Sequence, residues 1–177
     1  MKFKQAMDYA EKMHHGQIRK GTDIPYIVHP RKVMEILMDN KCSDEVIIAG
    51  ILHDTLEDTP AQPEEIEILF GKEVLVLIQA ETEDKTRSWK ERKAHTINHL
   101  ANSSLGVKLI CCADKLSNLL DMIHDFESCG EKLWERFNAP DGKDDIAWYY
   151  KGIKESLHDL KDYKMYKEYC ELCKRFF

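Results

Sequence analysis

The stretch His53-Asp54-Thr55-Leu56-Glu57-Asp58-Thr59 follows directly on an apolar run, Val46-Ile47-Ile48-Ala49-Gly50-Ile51-Leu52. An uninterrupted apolar run of this kind is typical of a helix that is buried on most sides. Ser43 is its predicted N-cap, and acidic side chains at positions 44 and 45 suit the positive end of the helix dipole. We therefore predict a buried central helix from about residue 44 to residue 57, the span on which the rest of the fold depends.

Ionisable side chains lie at the end of this predicted helix. Glu57 follows His53 by four residues, and Asp58 follows Asp54 by four, so each pair would project from about the same face. Charged groups packed against an apolar core are costly unless their charge is compensated. Because an adjacent histidine and aspartate offer a nitrogen and an oxygen ligand, a bound divalent cation would supply that compensation.

The remaining sequence also predicts helices. Apolar residues recur at helical spacing, and segments containing glycine or proline separate the runs. Helices are predicted at 3–15, 30–39, 64–70, 74–82, 88–101, 105–125, 144–160 and 163–176, with loops at 16–26 and 138–142 and a charged connection at 83–87. The predicted core face of helix 105–125 comprises Leu109, Cys112, Leu116, Leu119, Leu120 and Ile123. No strand pattern occurs, so we predict an all-α fold of roughly eight to ten helices, in a single domain over residues 1–177.

Composition excludes several classes of partner. The formal net charge is −6, so no general attraction to nucleic acid or to an anionic membrane is expected. No signal-peptide core or transmembrane-length run occurs, which predicts a cytoplasmic protein. The six cysteines lack the spacing of a disulfide framework, and Cys170 and Cys173 are interpreted as an ordinary pair on the terminal helix. An anionic substrate must then be met by a local cluster of positive charge.

Two further polar residues stand out on predicted helices. His29 precedes Pro30 at the mouth of helix 30–39, and Asp114 interrupts the apolar pattern of helix 105–125. With His53 and Asp54 they provide two imidazoles and two carboxylates from three helices. This set suits Mn²⁺, Fe²⁺ or a similar ion and leaves coordination positions for water and substrate.

Five motifs occur in a fixed order along the chain. They are Gly16-Gln17-Ile18-Arg19-Lys20, Pro25-Tyr26-Ile27-Val28-His29-Pro30, Leu52-His53-Asp54-Thr55-Leu56-Glu57-Asp58-Thr59, Phe70-Gly71 and Ala113-Asp114-Lys115-Leu116-Ser117-Asn118-Leu119. Together they resemble the HD-domain metal phosphohydrolases. The order resembles most closely the hydrolase domain of the RelA/SpoT homologues, and especially their small single-domain alarmone hydrolases.

The resemblance implies a role for each motif residue. It implies that His29, His53, Asp54 and Asp114 are the metal ligands and that the ion is Mn²⁺. It implies that Glu57 and Asp58 activate or position the attacking water. Arg19 and Lys20, in a loop that we expect to be exposed, would meet the substrate phosphates, and Asn118 would lie near the nucleoside. The implied reaction is hydrolysis of the 3′-pyrophosphate of (p)ppGpp, and the segment 126–150 (Trp134, Lys143, Trp148, Tyr149 and Tyr150) is expected to help close the nucleotide pocket.

Two alternatives stay open at this point. The same metal chemistry would serve another nucleotide, for example removal of the 2′-phosphate of NADPH. A regulatory module that binds nucleotide without hydrolysing it would be marked by loss of Glu57, Asp58 or a ligand, and the sequence retains all of these residues. The sequence does not define an oligomeric state.

Overall fold

The computed structural model describes residues 2–81 and 86–177, and regular structure in these ranges is helical. The α-helices are α1 (Lys2–Met13), α2 (Val28–Asp39), α3 (Asp44–Leu52), α4 (Thr55–Asp58), α5 (Pro63–Phe70), α6 (Lys72–Glu81), α7 (Trp89–Leu100), α8 (Leu105–Cys129), α9 (Lys143–Ser156) and α10 (Lys164–Phe176). Two 3-10 helices cover Gly130–Arg136 and His158–Leu160. The described β pairing is limited to an isolated bridge between Ile18 and Pro25. The all-α prediction is confirmed.

Helix α3 lies at the centre of the fold. Every residue from Val46 to Leu52 is buried, and α1, α2, α6 and α8 all pack against this helix. The Ser43 hydroxyl oxygen accepts a hydrogen bond from the Val46 N–H, as the predicted N-cap requires. The apolar sequence of α3 therefore determines that its C-terminal end, where His53 follows, is also buried.

The predicted continuation of this helix to residue 57 is wrong. Helix α3 ends at Leu52, and Asp54 has a ψ of −5°, outside the helical range. The Thr55 hydroxyl donates to the Leu52 carbonyl at 2.6 Å. A short polar side chain that bonds to nearby backbone competes with helical pairing in this way. Glu57 consequently lies on a separate helical turn, α4.

Helices α2, α3 and α8 pack against one another around the polar residues predicted from the sequence. His29 lies in the first turn of α2, and Asp114 lies near the middle of the 25-residue α8. Among the described residues the buried apolar side chains form one continuous cluster. The single domain over residues 1–177 stays a prediction. Within the described ranges no helix is both long and apolar enough to cross a bilayer.

Three other sequence expectations differ from the structure. Helix α8 extends to Cys129 rather than residue 125, and Leu120 on it is 37% exposed because the buried stripe continues through Met122 instead. The 3-10 helix Gly130–Arg136 was not predicted. The predicted helix 144–160 divides at Leu157, whose ψ of 12° ends α9. The predicted helix end at Thr82 and the charged residues 83–85 lie outside the described residues.

A pair of isoleucine substitutions tests the central position of α3. Ile51 on α3 is fully buried, whereas Ile68 on α5 is 83% exposed. We expect Ile51→Ala to lower the free energy of unfolding by about 2–5 kcal/mol, because it leaves a cavity in a packed core. Ile68→Ala makes the same chemical change in a helix and should stay within about 0.5 kcal/mol of the unmodified protein. Urea unfolding followed by circular dichroism measures both, and equal losses would contradict the assignment of α3 to the core.

Candidate active site

The structure brings together the four residues proposed as metal ligands. One donor atom each of His29, His53 and Asp114 lies within 4.8 Å of the other two. His29 Nε2 is 3.3 Å from His53 Nε2 and 3.1 Å from Asp114 Oδ1. Asp54 lies beside this group of three, with its Oδ2 at 2.9 Å from His53 Nε2 and 3.8 Å from His29 Nε2. These donor atoms, from α2, the end of α3 and α8, therefore face a common point.

Outer partners orient both imidazole rings. The Gly50 carbonyl lies 2.9 Å from His53 Nδ1 and can only accept, so Nδ1 carries a proton and Nε2 is the nitrogen that faces the cluster. His29 Nδ1 lies 3.1 Å from the Ser117 hydroxyl, which is compatible with the same tautomer. Metal-binding histidines are commonly held through their second nitrogen in this manner. Both Nε2 atoms thus point inward toward the carboxylates.

Burial and mutual charge set the protonation of this cluster. Burial lowers the pKa of His29. Burial also opposes the charged form of His53, but Asp54 and Asp114 outweigh it and raise the pKa of His53. Although burial acts in the opposite direction, Lys115 holds the pKa of Asp114 well below its ordinary range, and its Nζ lies 2.6 Å from Asp114 Oδ2. The cluster therefore combines two carboxylates with one imidazole whose pKa is lowered and one whose pKa is raised.

The arrangement fits a divalent cation. Donor atoms bound to one ion at about 2.0–2.2 Å lie roughly 3 Å apart when they occupy neighbouring coordination positions. The shortest separations in the cluster, 2.9 Å and 3.1 Å, match this spacing. Two imidazole nitrogens with two carboxylate oxygens suit a first-row divalent ion, whose charge would balance the two aspartates.

Glu57 and Asp58 lie directly beside this cluster in sequence but outside the group of facing donor atoms. Both belong to α4, which begins one residue after Asp54, and the Asp58 N–H donates to the Asp54 carbonyl at 2.9 Å. Glu57 is half-buried and Asp58 is exposed. The Gln17 side chain donates to the Asp58 backbone carbonyl at 2.8 Å, which ties the turn to the loop after α1.

A cavity of about 560 Å³ opens beside the cluster. Six basic side chains line it against two acidic ones, the basic set being Arg19, Lys20, Lys32, Lys93, Lys115 and Arg136 and the acidic set Asp121 and Asp125. Tyr26, Lys115 and Asn118 line the cavity and also bond to aspartates of the cluster. The positively charged cavity and the His/Asp cluster are consequently parts of one site.

The loop pair Arg19 and Lys20 reaches the cavity, but the two residues differ. The expectation that both are exposed is wrong for Arg19, whose side chain is 19% exposed. Arg19 Nη2 donates to Asn118 Oδ1 at 2.7 Å and to Asp121 Oδ2 at 3.1 Å. Lys20 is exposed and makes one long contact, 3.5 Å to Asn138. A sequence pattern does not reveal this difference, because Asn118 and Asp121 are about 100 residues away.

Sequence reasoning assigned no role to several residues of this site. Lys32 on α2 donates to Asp121, and Arg136 Nη1 lies 2.6 Å from Asp125 Oδ2. Tyr26 donates from its hydroxyl to Asp54 Oδ2. The sequence offered one indication for Tyr26, which is that it lies in the same motif as His29. Lys115 had a similar indication, because it directly follows Asp114.

The segment 126–150 contributes to the cavity only in part. Tyr149 and Tyr150 line it as expected, and Leu133, Phe137 and Ile146 do so without having been predicted. The other three expected residues are absent from its lining: Trp134, Lys143 and Trp148. Trp134 packs instead against the rings of Phe126 and Phe176, so it joins this segment to α10.

Comparison with known proteins agrees with this architecture. The family model described as "HD domain" matches residues 6–142. The human guanosine-3′,5′-bis(diphosphate) 3′-pyrophosphohydrolase MESH1 is 34% identical over 160 residues, which cover 89% of this chain and 87% of that protein. A crystal structure from Listeria monocytogenes has a TM-score of 0.78 at 38% identity and covers 84% of this chain and 98% of that one. A metazoan ortholog of SpoT, which hydrolyses ppGpp, has a TM-score of 0.83 at 31% identity over 98% of this chain and 94% of its own. The chain therefore belongs to the HD-domain family, in the branch of small hydrolases related to MESH1 and SpoT.

Proposed function

We propose that this protein hydrolyses the 3′-pyrophosphate of guanosine tetra- or pentaphosphate and uses a divalent ion, Mn²⁺, held by His29, His53, Asp54 and Asp114. One observation carries the proposal: three side chains that line a positively charged cavity, Tyr26, Lys115 and Asn118, also bond to the aspartates of the His/Asp cluster. A 3′-pyrophosphate bound among these cations would place the phosphorus that is bonded to the ribose 3′-oxygen near the proposed metal position. The activity of MESH1 and of the SpoT ortholog, hydrolysis of ppGpp, supports a guanosine polyphosphate as the substrate.

The reaction breaks the bond between the ribose 3′-oxygen and phosphorus. Water supplies the new oxygen on phosphorus, the ribose oxygen takes up a proton, and the products are GDP or GTP with pyrophosphate. When bound, the divalent ion supplies Lewis acidity that makes a hydroxide available near neutral pH and draws charge from the phosphoryl group. The four protein ligands fix where that chemistry takes place.

The acidic pair on α4 is proposed to handle the proton. Glu57 is half-buried one turn after His53, and a carboxylate beside the ligands can accept a proton from water or orient it. Asp58 is exposed at the same turn and is proposed to assist in positioning the water. The break after Leu52 allows this turn to take its own direction, independent of the axis of α3.

The basic residues are proposed to bind and orient the phosphates. Arg19 presents a guanidinium that the carboxamide of Asn118 and the carboxylate of Asp121 already orient, and Lys20 extends from the same loop into solvent. A guanidinium that is oriented in advance loses less conformational entropy when it engages a phosphate. Asn118, which donates to Asp114 and lines the cavity, is proposed to lie near the nucleoside.

The cytoplasmic location stays a prediction from the sequence.

A turnover assay tests the proposed function directly. Purified protein with Mn²⁺ should convert ppGpp to GDP and pyrophosphate in equal amounts, and the metal-ligand variant His53→Ala should lose this activity. NADPH and deoxynucleoside triphosphates, assayed side by side, should turn over more slowly. Turnover of NADPH without turnover of ppGpp would show that the substrate is NADPH and not ppGpp. Binding of ppGpp without any turnover would favour a regulatory module that does not hydrolyse its ligand.

The role of Glu57 is tested by Glu57→Gln, which keeps size and hydrogen bonding but removes the proton acceptor. We expect turnover of ppGpp to fall by about 10²–10⁴-fold, the usual effect of removing a general base. Binding of Mn²⁺, measured separately by calorimetry, should be retained. Glu67→Gln makes the same change at an exposed position on α5 and should leave turnover intact. Undiminished turnover in Glu57→Gln would remove Glu57 from the role of base.

The different environments of Arg19 and Lys20 lead to a comparative test. Either alanine variant should weaken ppGpp binding about tenfold to a hundredfold, the equivalent of about 1.5–3 kcal/mol for a charge-assisted contact. The loss should be smaller for GMP measured as a competitive inhibitor, since GMP offers fewer phosphates. Arg19→Ala should also lower the free energy of unfolding by about 1–2 kcal/mol, because its contacts to Asn118 and Asp121 are lost. Lys20→Ala should change stability by less than about 0.5 kcal/mol. Equal affinity losses for ppGpp and GMP would contradict a phosphate role.

A further inference from the structure

Tyr26, which neither the motif assignment nor the proposed chemistry uses, contacts three residues of the site and also His14. Its hydroxyl donates to Asp54 Oδ2. Its ring lies edge-on to the His29 ring with centroids 5.9 Å apart, and the Arg19 guanidinium carbon lies 5.6 Å from the ring centroid. The His14 ring lies 4.6 Å from it. The same side chain thus meets two proposed metal ligands and the arginine proposed to bind phosphate.

We propose that Tyr26 is a positioning residue that couples the metal centre to the phosphate-binding arginine, with its hydroxyl orienting Asp54 and its ring supporting Arg19. This inference rests on the proposed function, since it presumes an ion at the cluster and a phosphate at Arg19. It assigns separate tasks to two parts of one side chain, and substitutions can remove them one at a time.

The hydroxyl acts on the oxygen of Asp54 that faces the cluster. Asp54 Oδ2 approaches both histidine nitrogens and lies 2.9 Å from His53 Nε2 and 3.8 Å from His29 Nε2. The phenol donates to that same oxygen. A carboxylate on a short side chain retains rotational freedom about its terminal bond, and a fixed donor removes much of this freedom. Outer hydrogen bonds of this kind typically change metal affinity by about 10–100-fold.

The ring acts on the guanidinium of Arg19. Arg19 is held at one terminal nitrogen by Asn118 and Asp121. The aromatic face adds a contact that attracts a cation without occupying its N–H groups. Arg19 can therefore stay oriented by the ring and still donate hydrogen bonds to a phosphate. The ring itself is fixed from behind by His14, which is buried and bonded through Nδ1 to the Gln17 side chain at 2.8 Å.

A second bridge with the same logic runs through Asn118. Its amide nitrogen donates to Asp114 Oδ1 at 2.5 Å, and its amide oxygen accepts from Arg19 at 2.7 Å. Arg19 is consequently connected to both aspartates of the cluster, to Asp54 through Tyr26 and to Asp114 through Asn118. Because Asn118 remains in place when Tyr26 is changed, loss of the hydroxyl alone should not release Arg19.

Three tyrosine variants test the division of labour. Tyr26→Phe removes the hydroxyl and keeps the ring, whereas Tyr26→Leu removes both. Tyr9→Phe is a matched control, because Tyr9 also donates from its hydroxyl to a carboxylate, Glu65 at 2.8 Å. Binding of Mn²⁺ alone is measured by electron paramagnetic resonance on the free protein, and KM for ppGpp is measured at saturating Mn²⁺. Thermal unfolding checks that each variant is folded.

We expect Tyr26→Phe to raise the dissociation constant for Mn²⁺ by about 10–100-fold and to leave KM for ppGpp within about twofold. Tyr26→Leu should show the same loss of Mn²⁺ affinity together with a KM about two- to fivefold higher, the size of one exposed cation–π contact. Tyr9→Phe should change neither quantity.

The outcomes separate this inference from the proposed function. If the unmodified protein binds no Mn²⁺, the proposed metal centre fails and the coupling fails with it. If the unmodified protein binds Mn²⁺ and Tyr26→Phe binds it equally well, the metal centre stands and the role of the hydroxyl is wrong. If Tyr26→Leu and Tyr26→Phe have the same KM, the role of the ring is wrong. If Tyr26→Leu does not unfold cooperatively, Tyr26→Phe, the closer change in shape, decides whether the inference stands.

Discussion

Two aspartates and two histidines that face one another constrain the packing of helices α2, α3 and α8. An unpaired charge inside a protein costs several kcal/mol, so these side chains are stable in the interior only when they meet. The apolar sequence of α3 buries its own C-terminal end, and with it His53. His29 in the first turn of α2 and Asp114 in α8 must then reach the same point. The site is thereby assembled by the packing of α2, α3 and α8.

Charges in the cavity are also paired with one another. The chain is acidic overall, with a net charge of −6, yet the lining of the cavity is basic. Its two acidic residues do not simply repel an anionic ligand, because each one fixes cations: Asp121 holds Arg19 and Lys32, and Asp125 holds Arg136. Long basic side chains lose considerable rotamer entropy when they are immobilised. Since the protein's own carboxylates have already ordered them, less rotamer entropy would be lost if these side chains bound a phosphate, as proposed.

The sequence could predict what local spacing determines. The cap at Ser43, the burial of α3 and the all-α class follow from residues within a few positions of one another. The motif order also pointed to residues that the structure brings together at one place. The break at Asp54 was missed because it depends on a hydrogen bond from Thr55 that competes with helical pairing. The burial of Arg19 was missed because its partners come from α8, and the contributions of Lys32 and Arg136 were missed for the same reason. The spacing of apolar residues along the sequence does not indicate which distant residue a long side chain will contact.

The loop between α1 and α2 shows how this site joins distant parts of the chain. Gly21 in that loop has a φ of +76°, and a β-carbon there would lie 2.7 Å from the Arg136 side chain. Glycine therefore serves two purposes at one position, since it permits the left-handed backbone and leaves room for Arg136. Lys20 on one side of Gly21 reaches Asn138, and Tyr26 at the other end of the loop reaches Asp54. The loop consequently spans the cavity from the His/Asp cluster to the segment after α8. The family match over residues 6–142 covers the loop, whereas Ile146, Tyr149 and Tyr150 on the cavity wall lie beyond that match. Any change that shifts the loop should alter the proposed phosphate contacts and the proposed metal ligands together, because residues 14–27 position both.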